Sequence, residues 1–300
     1  TLLPPDQKDV RSMTTLAPPA APTSAQGLAQ NLKPARTVKE AAAGKPAVLE
    51  PKLDGWRLLA HVHEDGVDVF SRTAKSYSGR LAAIEQELAD NFPAGTWIDG
   101  EAVAIRVEGT AIYNDWGVAQ SALSSGKATH HADKITFMVF DLLAHGGLDI
   151  RALPFIERRE ALETIFDATN MERVQLNAQF RATEENHAAL IAQGFEGSVV
   201  KHMDAAYASG QRGRGQFKLK ATATIDTVII VFKEGENGFA GLIGAVEFGQ
   251  VKDGEMVSRG FCSGMDMRTR EKISGDRDGW LGKVIEVQHK IAFVPLPEPP

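Results

Sequence analysis

Glu50-Pro51-Lys52-Leu53-Asp54-Gly55-Trp56-Arg57 sets a lysine just ahead of an Asp-Gly pair and an arginine two residues beyond the glycine. Asp-Gly is turn chemistry, because glycine accepts backbone angles that other residues avoid. The spacing predicts Lys52 immediately before a turn, with Arg57 close to it on the returning strand. A neighbouring cation, or partial burial, favours the neutral amine of a lysine and makes it nucleophilic near neutral pH. A phosphorus centre is one target for such an amine. Taken alone, the same stretch also describes an ordinary hairpin carrying a solvated lysine. Its context has to decide.

The chain of 300 residues is long enough for about two domains, and its 43% apolar and 24% charged residues are those of an ordinary globular protein. No apolar run is long enough to cross a membrane, and no charged-then-apolar leader opens the sequence. Cys262 is the single cysteine, so no internal disulfide is possible, which fits a reducing cytosol. A small buried hydrophobe is its simplest role. A formal charge of −6 argues against a protein that merely coats nucleic acid. Charge is nevertheless segregated: residues 212–220, Arg-Gly-Arg-Gly-Gln-Phe-Lys-Leu-Lys, carry four cations and no acid.

Outward from Lys52, residues 1–24 hold five prolines among alanines and threonines and read as a flexible arm. Between 25 and 50 a short helical region leads into the strand before Lys52. Residues 56–63 and 66–72 read as paired strands around Glu64-Asp65-Gly66. Leu81, Ile84, Leu88 and Phe92 recur at helical spacing, which predicts a helix over 80–92. Strands are expected at 102–107 and at 135–143, the latter a nearly continuous apolar run. Helices follow at 155–167 and 184–193, the second with Thr183 as N-cap and Gly194 beyond its end. Strands at 198–201 and 217–220 close this part. After Ala221 short β-rich segments at 225–232, 241–249, 255–263 and 283–289 are divided by glycine, the texture of a small barrel or sandwich. The organisation expected is therefore an arm at 1–24, a first domain over 25–221 and a second over 222–300.

Polar residues recur at the ends of apolar strands: Glu101 after Asp99-Gly100, Phe140-Asp141 at the close of 135–141, Glu196 opening a segment that ends at Lys201, and Lys218 with Lys220. Two glutamates suit a hard divalent cation that also engages substrate phosphates. Lys218 and Lys220 alternate on one strand and share a face, an arrangement suited to phosphate oxygens. Singly, each is also an ordinary surface or core residue. Their joint order beside Lys52 is what carries information.

Lys52–Arg57, Ser71-Arg72, Asp99–Glu101, Phe137–Asp141, Glu196–Lys201 and Lys218–Lys220, in this order, resemble the motifs of the ATP-dependent DNA ligases, nucleotidyltransferases that work through a covalent lysyl-nucleotide. Gly147 to Pro154 with Glu157-Arg158-Arg159, and Tyr207 with Gly210 and Arg212, resemble linking segments of the same family. The likeness runs over roughly residues 30–290 and looks like the small phage or bacterial ligases. It implies an α+β fold, with an adenylation domain of antiparallel sheets and flanking helices followed by a small β-barrel OB-fold domain that closes over the duplex. It implies that Lys52 attacks the α-phosphorus of ATP, that the AMP passes to the 5′-phosphate of nicked duplex DNA, and that the 3′-hydroxyl displaces it. By the same resemblance Glu50 accepts from the adenine amino group, Phe140 stacks on the ring, and Leu53 belongs to the nucleotide pocket. Arg57 and Glu101 hold the ribose, Glu101 and Glu196 position Mg2+ or Mn2+, and Lys218 and Lys220 neutralise the α-phosphate. Arg72 lies near the nucleotide phosphates or the nick 5′-phosphate, and Arg72, Lys201, Arg212 and Arg214 are the expected DNA contacts. The setting implied is a monomer in a bacterial or phage-infected cytosol.

Two departures stand out. The family commonly has tryptophan two residues before Lys218, where this chain has Gln216, with Phe217 the candidate substitute. The family also ends its OB domain with a basic segment, where this sequence runs from Val287-Gln288-His289-Lys290 into an apolar, proline-rich stretch. Truncation and relocation of that segment's role both stay open. RNA ligases and mRNA capping guanylyltransferases share the Lys-x-Asp-Gly core. Glu50, the Phe-Asp-Leu-Leu segment and Glu157-Arg158-Arg159 favour DNA ligase over both. A non-catalytic nucleic-acid-binding protein on the same scaffold would be expected to lack one of Lys52, Glu101, Glu196 or Lys220, and all four are present.

Overall fold

The computed structural model describes residues 19–108, 111–114, 116–124, 132–252 and 254–290. The chain divides into two compact units between Lys220 and Ala221. Of the stretch read as an arm, residues 1–18 lie outside the described residues. The remainder is held to the first unit: Ala21 N–H donates to the Gly147 carbonyl at 2.9 Å, and the Trp97 indole donates to the Pro22 carbonyl at 2.7 Å. Backbone and indole hydrogen bonds thus fix residues whose composition alone reads as linker.

The first unit is built on two large sheets, and Ile105–Glu108 and Ala111–Asn114 form a separate two-stranded one. One is five-stranded, in the order Asn31–Pro34, Arg212–Lys220, Gly197–His202, Ala47–Pro51, Phe180–Arg181. The other runs Val174–Leu176, Thr136–His145, Thr96–Val103, Trp56–His63, Gly66–Ser71, with Leu148–Asp149 paired to the second of these. Most pairings are antiparallel; Asn31–Pro34 with Arg212–Lys220 and Val174–Leu176 with Thr136–His145 are parallel. Strand alternation sorts side chains to two cores, as a period of two requires. Leu58, Ala60 and Val62 pack with Ile84 and Leu88 of the helix Ala82–Asn91, with its C-cap Phe92, and with Leu162 of the helix Phe155–Asp167. Leu59, between them, faces the other way with Trp97, Leu143 and Tyr207. The five-stranded sheet is covered by the helices Val38–Ala42 and Glu184–Ala192. The latter begins where Thr183 accepts from the Asn186 N–H, as its cap signal predicts.

In the second unit Glu255–Cys262, Ile243–Lys252, Thr222–Glu234 and Val284–Lys290 form an antiparallel four-stranded sheet in that order. The helix Met267–Gly275 packs on it, with buried Arg270 donating to the Gly244 carbonyl at 2.8 Å. The chain is thus α+β throughout. The small barrel expected here is, among the described residues, an open sheet whose two edge strands do not pair. Residues 291–300, which include the proline-rich ending, lie outside them.

Candidate active site

Lys52 stands where the chain leaves one sheet for the other. The strand Ala47–Pro51 belongs to the five-stranded sheet and Trp56–His63 to the six-stranded one. Asp54-Gly55 is therefore a crossing between sheets, and the hairpin expected at this point is absent. Gly55 does not adopt the left-handed backbone that a turn would ask of it. It is required for space: a Cβ there would lie 2.4 Å from the Ala102 carbonyl oxygen.

The strand Gly197–His202 lies beside Ala47–Pro51, with Ser198 opposite Pro51, and the Lys52 N–H donates to the Gly197 carbonyl at 3.0 Å. This register brings Glu196 to Lys52. Lys52 Nζ is hydrogen-bonded to Glu196 Oε2, and Lys220 Nζ is ion-paired to Glu196 Oε1 at 2.7 Å. Burial alone would raise the Glu196 carboxyl, but Lys52 and Lys220 together hold it below the usual range. Lys218, on the same strand face as Lys220, is lowered by burial first and by Lys220 and Lys52 next. Two ammonium groups thus hold one carboxylate and a third, that of Lys218, lies within electrostatic range of it, a surplus of positive charge suited to phosphate.

Arg57 does not pair with Lys52's neighbours. Its guanidinium grips Asp99 in a two-pronged contact, Nε to Oδ1 at 2.9 Å and Nη2 to Oδ2 at 2.6 Å, and donates to the Gln30 carbonyl at 2.6 Å. Tyr207 donates to the same Asp99 at 2.6 Å. Burial opposes the Arg57 charge, yet Asp99 and Tyr207 hold its pKa well above the ordinary value. Burial and then Asp99 raise Tyr207. Glu101 sits across the ladder from Arg57. Burial pushes its carboxyl up to about 7, against the pull of Arg57 and Lys52.

An inner pocket and an outer groove meet at these residues. Leu32, Lys52, Arg57 and Glu101 line both. The inner pocket adds Leu53, Phe140, Val199 and Gln216, and the outer groove adds Arg72, Arg212 and Lys218. Arg214 is exposed but lines neither.

Two expectations need correcting. Lys201, read as a DNA contact, has a side chain only 3% exposed and is paired with Glu50 at 2.9 Å, so it cannot reach a duplex phosphate. Phe217, the candidate substitute for the family's tryptophan, points into the core with His202 and Ala41, because strand parity places it opposite Gln216 and Lys218. Gln216 itself occupies the pocket wall. Sequence reading also missed Asn177 and Gln179, whose amides reach Glu50, and the depth of the Asp141–Arg158 pair. Amides in a polar loop carry no signal of burial, whereas Asp99 and Tyr207 did stand inside recognised motifs.

Residues 26–220 match the family described as "ATP dependent DNA ligase domain". This chain belongs to that family. Among its relatives, a probable DNA ligase of Kineococcus radiotolerans is 31% identical over 216 residues, covering 71% of this chain and 42% of that protein. A probable DNA ligase of Beutenbergia cavernae is 32% identical over 202 residues, covering 67% and 39%. The chain therefore spans about two fifths of the length of these ligases. In solved structures, a Lig E DNA ligase shares the fold at 20% identity and TM-score 0.58, covering 88% of this chain and 93% of that one. The ligase domain of LigD from M. tuberculosis does so at 23% identity and TM-score 0.55, covering 88% and 89%. At such identities the structural likeness shows the shared ligase fold alone.

Proposed function

We propose that this chain seals 5′-phosphate/3′-hydroxyl nicks in duplex DNA, using ATP and a covalent lysyl-AMP. The observation that carries the reading is the position of Lys52, at the junction of the Phe140-walled pocket and the cationic groove, in hydrogen-bond contact with Glu196. A purine fits the first space and phosphates the second. The α-phosphorus then lies at the boundary, where the amine is.

Attack requires the Lys52 amine to lose a proton, and Glu196 is the acceptor already in contact. The Nζ–phosphorus bond forms as the bond from phosphorus to the pyrophosphate oxygen breaks. Lys218 and Lys220 face the charge that builds on the non-bridging oxygens, an electrostatic role. Arg57 and Glu101, cross-strand neighbours that line both spaces, hold the ribose in this reading. Glu101 and Glu196 would hold a hard divalent cation such as Mg2+, which would supply charge neutralisation at the phosphates. Among the described residues no cluster of three or more His, Cys, Asp or Glu side chains could hold a metal by itself; substrate phosphates would have to supply the other donors. Arg72 and Arg212 are the groove cations for the nick, with Arg214 beside them. No helix of the described residues is long and apolar enough to cross a membrane; a monomer in a reducing cytosol is the setting we infer.

The test is incubation with ATP labelled at the α-phosphate and Mg2+, followed by a denaturing gel, with and without nicked duplex. Label should appear on the protein and be discharged by the nick into sealed DNA. Absence of label on the protein, or equal labelling from GTP, overturns the reading.

A further inference from the structure

Gln30 has no exposed surface, and its backbone and side chain bond in two different directions. The backbone serves the pocket: the carbonyl accepts from Arg57 at 2.6 Å, and the N–H donates to the Tyr207 hydroxyl at 2.8 Å, the same hydroxyl that donates to Asp99. The side chain serves the basic stretch. Nε2 donates to the Arg214 carbonyl at 3.0 Å, and Oε1 accepts from the Ala208 N–H at 2.8 Å. One amide thus ties together the two ends of 208–214, which turns at Ser209-Gly210 and returns as the strand Arg212–Lys220. Arg214 falls in a gap of the sheet. On one side the ladder ends at Gln216 opposite Lys201, and on the other the pairing skips from Arg212 to Phe217. Gly213 and Gly215, at φ of 74° and 77°, flank it. Glycine leaves such a backbone many alternatives, so the place of Arg214 depends on a bond from outside the segment.

We propose that Gln30 is a positioning residue for the DNA steps, its side-chain amide holding the backbone of Arg212 to Arg214 in the shape that presents both arginines to the nick. The proposal rests on the reading given above of these two residues as DNA contacts. Arg212 lines the outer groove with Lys52, and both arginines are exposed. An arginine whose backbone is already fixed loses less freedom on reaching a phosphate, so its preorganisation appears as affinity. Without the amide, the Ala208 N–H and the Arg214 carbonyl have only water to turn to, and the glycine-flanked segment is free to follow. Backbone bonds from Asn31 to the Gln211 carbonyl and from Gly210 to the Ala29 carbonyl still hold the turn itself. The carbonyl that receives Arg57 belongs to the main chain and survives any change of side chain. The two duties of Gln30 are therefore separable by substitution.

The experiment uses Gln30→Met, which keeps the length of the side chain and removes only its amide. Two quantities are read on the full chain: covalent labelling by ATP in a single turnover, and affinity for nicked duplex over a salt series. Labelling should keep its rate and its KM for ATP. Affinity for the nick should fall roughly tenfold at moderate salt, the scale of a buried hydrogen bond left unmade. The slope of log affinity against log salt should shrink by about one. In a chain already carrying Arg212→Ala and Arg214→Ala, Gln30→Met should add nothing, because it acts through those residues. Equal losses in labelling and in nick affinity, an unchanged nick affinity, or an effect that persists without the two arginines would each reduce Gln30 to part of the fold and overturn the proposal. Should Gln30→Met melt below the assay temperature, Gln30→Asn takes its place, an amide one methylene shorter that cannot span Ala208 and Arg214 together. The same split is expected of it, and the same results overturn the proposal. An Arg212→Ala, Arg214→Ala chain that binds nicked duplex like wild type is a different result: it removes the DNA reading of these arginines, and their positioning with it, while the lysyl-AMP chemistry stands.

Discussion

The Lys52 ammonium is hydrogen-bonded to a carboxylate oxygen of Glu196, a residue 144 positions further along the chain. The contact exists because the Gly197–His202 strand runs antiparallel to Ala47–Pro51, in a register that no local feature near Lys52 announces. It leaves the amine where the inner pocket meets the outer groove, in contact with a carboxylate.

Lys52→Ala should abolish covalent labelling of the protein by ATP, since Lys218 and Lys220 lie two strands away, beyond Gly197–His202, and cannot adopt the same approach. Lys52→Arg should be equally inactive, because a guanidinium stays protonated and cannot attack. The measurement is label retained on the denatured protein. An adduct on either variant would move the nucleophile elsewhere.

Glu196→Ala should lower nick sealing about hundredfold or more at fixed Mg2+, the usual loss when a contact to the reacting groups is removed. The Glu196 side chain is 22% exposed, so the thermal midpoint should move little. Normal sealing by a folded variant would place proton acceptance and metal binding on other groups.

Asp99→Ala should be mainly a folding defect. Asp99 is fully buried and takes three donors, two from Arg57 and one from Tyr207. Its loss leaves a guanidinium in a desolvated site without its counter-charge, a change that costs about 3–5 kcal/mol in comparable pairs. Urea denaturation reads this directly. A loss below about 1 kcal/mol would mean that water enters to replace the carboxylate.

Glu101 makes the stability of the nucleotide-free protein depend on pH in an unusual direction. Its folded pKa of about 7 lies above the ordinary value of 4.5, so the folded state holds the proton more tightly than the unfolded chain does. Stability from this group is full below about pH 4.5 and is lost as pH rises toward 7. Glu101→Gln removes the effect. The variant should therefore gain on wild type as pH rises through that window, by up to about 3 kcal/mol, and the gap should level off above it. Melting series in metal-free buffer give the comparison. A gap independent of pH would mean that Glu101 is ionised throughout.

Binding to nicked duplex should weaken steeply with salt despite the acidic total charge, because the contacts fall on local cations. Arg72→Ala and Arg212→Ala should each reduce the slope of log affinity against log salt by about one. Lys201→Met should leave the slope unchanged, since its ammonium is internal. A reduced slope in that variant would restore Lys201 to the DNA-facing surface.

The sequence by itself determined the pieces. The hairpin signal at Glu64-Asp65-Gly66, the helical spacing of Ile84, Leu88 and Phe92, and the Thr183 cap specify elements through turns, periods and caps that act within a few residues. The order of Lys52, Glu101, Phe140, Glu196 and Lys220 specified the family. Tertiary structure decided which sides of those elements meet. Asp54-Gly55 reads as a turn in any sequence, and only the assignment of its two flanking strands to different sheets makes it a crossing. Parity along Arg212–Lys220 puts Gln216 with Lys218 and sends Phe217 the opposite way, but which face is core depends on helices from elsewhere in the chain. Lys201 looks solvated in sequence because lysine usually is. Its burial follows from Glu50 and Phe140 closing on it from two sheets, a long-range pairing that no window of neighbouring residues contains.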